Sequence, residues 1–375
     1  MRREYLDVIL HCLMRSVPRF PSNRRRHLAG VTLLELVVVL AVVGLLIALL
    51  LPALGQARQA ALRAQCTSNL RNISIGLSQF EHVHSRFPAS GYYFDPPNGQ
   101  GGAHHTWAVS ILPFVEQGAV YEKWDLNKPI NDAANQRLTQ SFVPVFACPA
   151  DVTLNPRNAG DLSYAVNGGW GFTFRTSAGV GDCALSPQGA LLDLNGDGMT
   201  CQGTSADEAD QKLFKQLGLF FLENWDPKQT PDSTVRHHSM DDIIDGTSQT
   251  FLVTENVRAG YDPSNPEASF ADPNPFRSAF YVGSPCRNGN CSQGNVDAAL
   301  ANSGDAAINS GLLKSEGNSP VPNSYHAGGV NMAYADGHVS FLSELVDSSV
   351  YLALASPQGI LITGPLSQVV VSGEY

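Results

Sequence analysis

The stretch GVTLLELVVVLAVVGLLIALLLPAL, residues 30–54, decides how the rest of the chain is read. From Leu36 to Ala57 no residue is charged, a run of 22, and about 20 apolar residues let a helix cross the hydrocarbon core of a bilayer. A helix bonds its own backbone groups, which lipid cannot do for it. The apolar region of a secretory signal peptide is shorter, about 7–15 residues. Arg24, Arg25 and Arg26 precede the run, and the bias of basic residues toward the cytoplasm puts the chain beyond about residue 55 on the far side. Glu35 sits at the mouth of this segment. A carboxylate costs about 2.5–3.5 kcal/mol at the centre of a membrane helix and less near its end. Glu35 therefore either snorkels to the interface or meets a cationic partner.

The helical pattern continues past the span. In ARQAALRAQCTSNLRNISIGLSQFEHVHS (57–85), Leu70, Ile73, Leu77 and Phe80 recur at three- and four-residue steps, which is one apolar stripe. Arg58, Arg63 and Arg71 fall on the wetter side. Pro88 enforces a stop, because the residue before a proline avoids helical angles. A helix from Thr32 to about His84 would be about 80 Å long at 1.5 Å per residue. Beyond residue 90 the patterns shorten, as in FLVTENV (251–257) and GVNMAYADGHVSFLS (329–343). In the latter, Val330, Met332 and Tyr334 alternate with Asn331, Ala333 and Ala335. Asp336-Gly337 then supplies a two-residue turn, and Val339 and Phe341 begin the return strand. With 34 Gly and 23 Pro, the outer part reads as loop-rich and mainly antiparallel β. The fold class is α+β.

Charge and cysteine content narrow the partners. The chain has 24 Lys+Arg against 34 Asp+Glu, a formal net charge of −10. Seven of the arginines lie in residues 1–30, so the remainder is more acidic still. Such a surface repels phosphates and excludes nucleic acid as a partner. Cys12 aside, Cys66, Cys148, Cys183, Cys201, Cys286 and Cys291 form an even set, which favours disulfides outside the cytoplasm. Six cysteines allow 15 connectivities. Proximity suggests Cys183–Cys201 and Cys286–Cys291, leaving Cys66–Cys148 to tie the helix to the outer domain. No C-x-x-C pair or Cys/His cluster has the spacing of a zinc site.

Gly30, an apolar residue, Thr32, two leucines and Glu35 together resemble the type IV prepilin signal. The resemblance implies that a prepilin peptidase cuts between Gly30 and Val31 and methylates the new N-terminus. Glu35, fifth in the processed chain, would then neutralise the α-amino group of a neighbouring subunit. Pro52 matches the helix-kinking proline of that family. Val31 departs from the commoner phenylalanine, and the 30-residue leader is long, although Met14 offers a later start. A second resemblance covers most of the chain. His326, nine intervening residues and Asp336-Gly337 are similar to the H-x(9)-D-G motif of bacterial prepilin-type processing-associated proteins. SNLRNISIGLSQFEHVHSRFP (68–88), SILPFVEQGAVY (110–121), FACPAD (146–151), SYAVNGG (163–169) and IIDGTSQTFLVTEN (243–256) match further blocks of that family's domain of unknown function, in order. Residues 175–240 and 285–320 read as insertions.

Several residues invite chemistry. Asp-Gly-Thr-Ser at 245–248 is what a tight turn before a strand needs, and Glu255 follows on that strand. His326 and Asp336 could form an orienting pair across the hairpin base; His326 reads as a structural hydrogen-bonding residue, with a ligand or catalytic role as the alternative. No G-x-S-x-G elbow accompanies them. His104-His105 and His237-His238 are adjacent, so in a strand each pair points to opposite faces and shares no metal. In DLNGDGMTC (193–201), Asp193, Asn195 and Asp197 occupy positions 1, 3 and 5 of an EF-hand-like calcium loop. Gly198 stands at position 6, and Met199 offers its carbonyl at position 7. Thr204 replaces the usual acidic residue at position 12, with Asp207 or Glu208 as substitutes from a looser loop, and a plain Asn-Gly/Asp-Gly turn is the alternative reading.

The expected organisation is a leader (1–30), a long helix (31–88) spanning the membrane to about residue 54, and an exported β-rich domain (89–375). The chain is expected to be a non-enzymatic, pilin-like or pseudopilin-like protein. It would be single-pass in the inner membrane, with its outer domain in the periplasm or at the cell surface. Its partners would be prepilin peptidase and neighbouring pilin-like subunits or type II secretion machinery, and calcium would be its one cofactor. The alternative is a signal-anchored carbohydrate-binding or hydrolytic module, with Trp107, Trp170 and Trp225 lining a groove.

Overall fold

The computed structural model describes residues 32–94, 102–154, 160–173, 175–176, 179–180, 183–186, 190–200, 208–225, 238–260, 268–283 and 296–368. The processing residues Gly30 and Val31, and Cys201, Cys286 and Cys291, lie outside them. Helix α1 spans Leu33–His84, with Pro52 inside it. Its start is set by Thr32. The backbone N–H of Glu35 donates to Thr32 Oγ1 (3.2 Å), and the Thr32 N–H donates to Glu35 Oε2 (2.9 Å). This reciprocal pair is a capping box, satisfying two otherwise orphaned donors. The segment up to Gln56 forms one compact unit of its own. The leucines, valines and Ile47 of its described part, residues 33–54, are exposed, and the helix there is long and apolar enough to serve as a signal or anchor sequence.

From Ala57 onward the chain forms a second unit. Here the stripe of α1 is buried: Cys66, Leu70, Ile73, Leu77 and Phe80, with Ser74 and Gly76 beside them. Ser74 and Gly76 are small where neighbours approach, and a Cβ at Gly76 would stand 2.8 Å from Val115.

Among the described residues ten strands follow: β1 (Gly91–Phe94), β2 (Gly102–Thr106), β3 (Tyr164–Trp170), β4 (Arg175–Thr176), β5 (Gly179–Val180), β6 (Leu222–Trp225), β7 (Phe251–Glu255), β8 (Ala279–Val282), β9 (Gly329–Tyr334) and β10 (Val339–Ser343). The main sheet has the order β10-β9-β7-β3-β8 and is antiparallel except for β3 beside β8. A smaller sheet has the order β2-β1-β6, and β4 pairs with β5. Helices α2 (Glu208–Leu217) and α3 (Ser348–Ala355) complete the longer elements.

The main sheet is the middle layer. Successive side chains on a strand point to opposite faces. Tyr164, Val166, Ala279, Tyr281 and Ala333 accordingly join the core around α1. Ala165, Phe280, Val282, Val330 and Met332 join a second core that includes Tyr351 and Leu352 of α3. β3, β7, β8 and β9 are buried along their whole length, whereas β10 at the edge is only partly covered. The fold is α+β, with a long N-terminal helix packed on a mostly antiparallel β domain.

One local expectation changes in detail. The β9–β10 hairpin forms, but its loop has three residues. The Gly337 N–H closes a turn onto Tyr334 O (2.9 Å), Tyr334 N–H bonds His338 O (3.0 Å), and Gly337 has φ 87°. A turn followed by one left-handed glycine joins strands with the right twist. Arg63 is exposed, as expected of the wetter side, and its guanidinium lies 3.6 Å over the Phe341 ring.

The α1 stripe should dominate stability. Ile73→Ala removes a fully buried side chain and is expected to cost about 2–5 kcal/mol. Chemical denaturation of the full chain in detergent, followed by circular dichroism, measures that loss.

Candidate functional site

A bulge creates the central cluster. Between β7 and β9 the register shifts between Phe251 and Val253. Phe251 belongs to the core around α3, whereas both Leu252 and Val253 belong to the core around α1. A bulge re-aims the residues beyond it, and Glu255 therefore faces α1 instead of the opposite layer. Asn331 of β9 faces the same way, alternating with Val330 and Met332.

Glu255 is completely buried and His326 is 6% exposed. Glu255 Oε1 accepts from Asn331 Nδ2 (2.8 Å) and lies 3.1 Å from His326 Nε2; Oε2 accepts from Asn331 N (2.8 Å). A buried carboxylate persists only when paired and hydrogen-bonded in this way. His326 is positioned in turn by Ser324, whose Oγ accepts the His326 N–H (3.1 Å) and donates to Gly329 O (2.7 Å). From the helix side, Thr67 Oγ1 and Arg63 Nε donate to Asn331 Oδ1 (both 3.4 Å). The Cys66–Cys148 disulfide closes the cluster, with Cys148 Sγ 3.8 Å from Glu255 Oε1 and 4.0 Å from His326 Nε2. One ligand atom each from Cys66, Cys148, Glu255 and His326 lies within 4.8 Å of all the others.

His326 and Asp336 do not pair, contrary to the expectation across the hairpin base. Asp336 Oδ1 lies 2.6 Å from His338 Nδ1 at the loop, and His326 is committed to Glu255. The Asp-Gly-Thr-Ser block forms a turn with Gly246 at φ 100°. Asp245 accepts the backbone N–H groups of Gly359 and Ile360. The hairpin loop docks on this turn, Asp336 N–H bonding Thr247 O (3.1 Å) and Ala335 N–H bonding Thr250 O (2.9 Å). Asp336-Gly337 is thus joined to the 245–250 turn, while His326 is joined to the strand that follows it.

The aromatic groove of the alternative reading does not form at Trp107 and Trp170, which are fully buried. Trp107 Nε1 donates to Ser278 O (2.8 Å) and Trp225 Nε1 to Leu126 O (2.9 Å).

The loop at 193–199 bonds itself. Asp193 accepts from Gly196 N (2.7 Å) and Gly198 N (2.8 Å), Asn195 Oδ1 from Asp197 N (2.8 Å), and Asp197 Oδ1 from Met199 N (2.8 Å). Asp210 of α2 accepts from Leu194 N and Asn195 N, anchoring the loop at its start. Cys183 is also disulfide-bonded, and its partner is outside the described residues.

His104 and His105 converge, against the expectation of opposite faces. Tyr92 pairs with His105 but Tyr93 with Ala103, so His104 is the extra residue of a bulge and both rings lie together. Their Nδ1 atoms are 2.5 Å apart, and His104 Nε2 bonds Leu126 O (2.9 Å). A carbonyl only accepts, so neutral His104 carries its proton on Nε2 and His105 donates between the rings. Trp225 stacks on His104 and Tyr92 on His105. Burial pushes His104 down to about 4, and burial followed by the neighbouring His104 pushes His105 well below the usual imidazole range.

The chain belongs to the family described as "Protein of unknown function (DUF1559)", a family of prepilin-type domains, whose profile matches residues 55–349. No curated protein matches the chain. No solved structure matches it either.

Two outcomes follow. Glu255→Ala strips His326 and Asn331 of their buried acceptor and is expected to cost about 3–5 kcal/mol in an unfolding titration. Neutral His104 and His105 bind protons less readily folded than unfolded, so they destabilise the domain as pH falls from about 6.5 toward 4. Burial raises Asp151, Asp245 and Glu316, which acts in the opposite sense. A His104→Asn chain should therefore show a flatter melting-temperature profile than the parent between pH 6.5 and 4.

Proposed function

We propose that this chain is a pilin-like structural protein of the bacterial envelope. Prepilin peptidase removes residues 1–30, the apolar part of α1 anchors the product in the inner membrane, and the β domain lies in the periplasm or at the cell surface. The processed chain assembles with like subunits in a type II secretion pseudopilus or a type IV pilus-like structure. No catalytic role is proposed. The observation that carries this reading is α1 itself. It is one helix whose first part is apolar and exposed, capped by Thr32 and Glu35, and whose later part is the buried spine of the domain.

The capping box refines the role of Glu35. Its carboxylate is already held at the helix start, one residue from the amine that cleavage after Gly30 would free at Val31. A carboxylate fixed there is placed to meet a cationic N-terminus, in agreement with the favourable site for negative charge at a helix N-terminus. Glu35→Gln keeps an acceptor for the Thr32 N–H but removes the charge. In membranes of the producing cell, chemical cross-linking of the Glu35→Gln chain should give folded monomers and no subunit ladder. A ladder equal to that of the parent chain would remove charge neutralisation from the assembly step.

We also propose that the 193–199 loop binds calcium weakly, through Asp193, Asn195, Asp197 and the Met199 carbonyl. The support is the loop conformation, in which Asp193, Asn195 and Asp197 each accept a backbone N–H from within the loop. Millimolar Ca2+ should raise the melting temperature of the parent chain and leave that of Asp193→Ala unchanged.

A further inference from the structure

The Cys66–Cys148–Glu255–His326 cluster holds a covalent bond where its donor atoms also suit a metal ion. We propose that this cluster has two alternative closures: a disulfide when Cys66 and Cys148 are oxidised, and a four-coordinate thiophilic cation, zinc in particular, when they are reduced. The sequence spacing gives no sign of it, since the ligands come from α1, the 146–151 segment, β7 and the loop before β9. The fold alone gathers them.

The argument rests on position and on donor chemistry. Two thiolates, one imidazole nitrogen and one carboxylate oxygen are a set that zinc takes tetrahedrally, with bonds of about 2.0–2.3 Å and hence donor separations of about 3.3–3.8 Å. The four atoms lie within 4.8 Å of one another, so the two sulfurs must part while the longer separations, such as 4.0 Å from Cys148 Sγ to His326 Nε2, close by about 1 Å or less. His326 Nε2 and Glu255 Oε1 already face each other and Cys148 Sγ. The supporting shell is in place as well: Asn331 N holds Glu255 Oε2, and Thr67 and Arg63 hold Asn331. Such partners fix the orientation of ligands around a metal. All four donors are buried, and a divalent ion there offsets two of the three negative charges that two thiolates and the Glu255 carboxylate bring.

The redox step balances with an external dithiol. The dithiol gives two electrons and two protons and becomes a disulfide, while the Cys66–Cys148 bond becomes two thiols. The divalent cation then displaces both thiol protons to water, takes Glu255 Oε1, and binds His326 through Nε2, whose hydrogen-bonding proton leaves that atom as Nδ1 takes one up. Because the sulfurs are buried, the choice is made while the domain folds or opens locally. Either closure fastens α1 to the β domain at the same point. This inference does not depend on the assembly role proposed above.

The test uses the full chain in detergent, reduced under anaerobic conditions with the reductant then removed, and titrated with Co2+ alone and then with Zn2+. The reduced chain should bind one Co2+ with a thiolate-to-cobalt charge-transfer band, which Zn2+ abolishes by displacement; the oxidised chain should bind none at this site. Asn331→Ala should weaken binding about 10–100-fold, and the Cys66→Ser/Cys148→Ser chain should lose the band. Circular dichroism is recorded throughout. A reduced chain that stays folded and gives no such band overturns the proposal. So does one that unfolds on reduction and is not refolded by Co2+ or Zn2+, and so does equal binding by the oxidised chain.

Discussion

Burial of one helical stripe against one sheet face is the constraint on which the rest of the domain depends. Cys66, Leu70, Ile73, Leu77 and Phe80 have little or no exposure, and residues of β3, β7, β8 and β9 close over them. Polar side chains on a sheet with both faces buried are nearly always paired; among the described residues of this sheet Trp170 Nε1 is the exception. Glu255, Asn331 and His326 bond one another, and Arg63 and Thr67 of the helix complete the network. Covalent and polar ties thus stand at the upper end of the stripe, while apolar contacts run along the remainder.

Two register shifts do much of the positioning. One extra residue in β7 brings Glu255 to the helix side, and one in β2 brings His104 beside His105. In each case a polar or titratable side chain is delivered into a dry layer, where it is tolerated only because a specific partner waits. The family blocks meet at these points: the Asp-Gly-Thr-Ser turn receives the hairpin loop, and the strand after it receives His326.

The long helix, its stripe, the β9–β10 hairpin and the Cys66–Cys148 tie were legible in the sequence because each depends on short-range periodicity, turn chemistry or a parity of cysteines. The partner of His326 was not. Strict alternation on β7 puts Glu255 on the same face as Phe251, and nothing in FLVTENV marks where a bulge will fall. The same limit misplaced His104 relative to His105. Thr32 and Glu35, by contrast, carried a visible capping-box spacing, and reading Glu35 only as a filament contact passed over it. The buried state of Trp107 and Trp170 depends on long-range packing that composition does not reveal.

The central claim is that α1 is the N-terminal helix of a processed, membrane-held subunit, freed at Gly30. Mass spectrometry of the N-terminal peptide, from protein isolated out of its own membranes, tests it most directly. The account predicts a chain that begins at Val31 with a methylated amine. A chain that still carries residues upstream of Gly30 would contradict it.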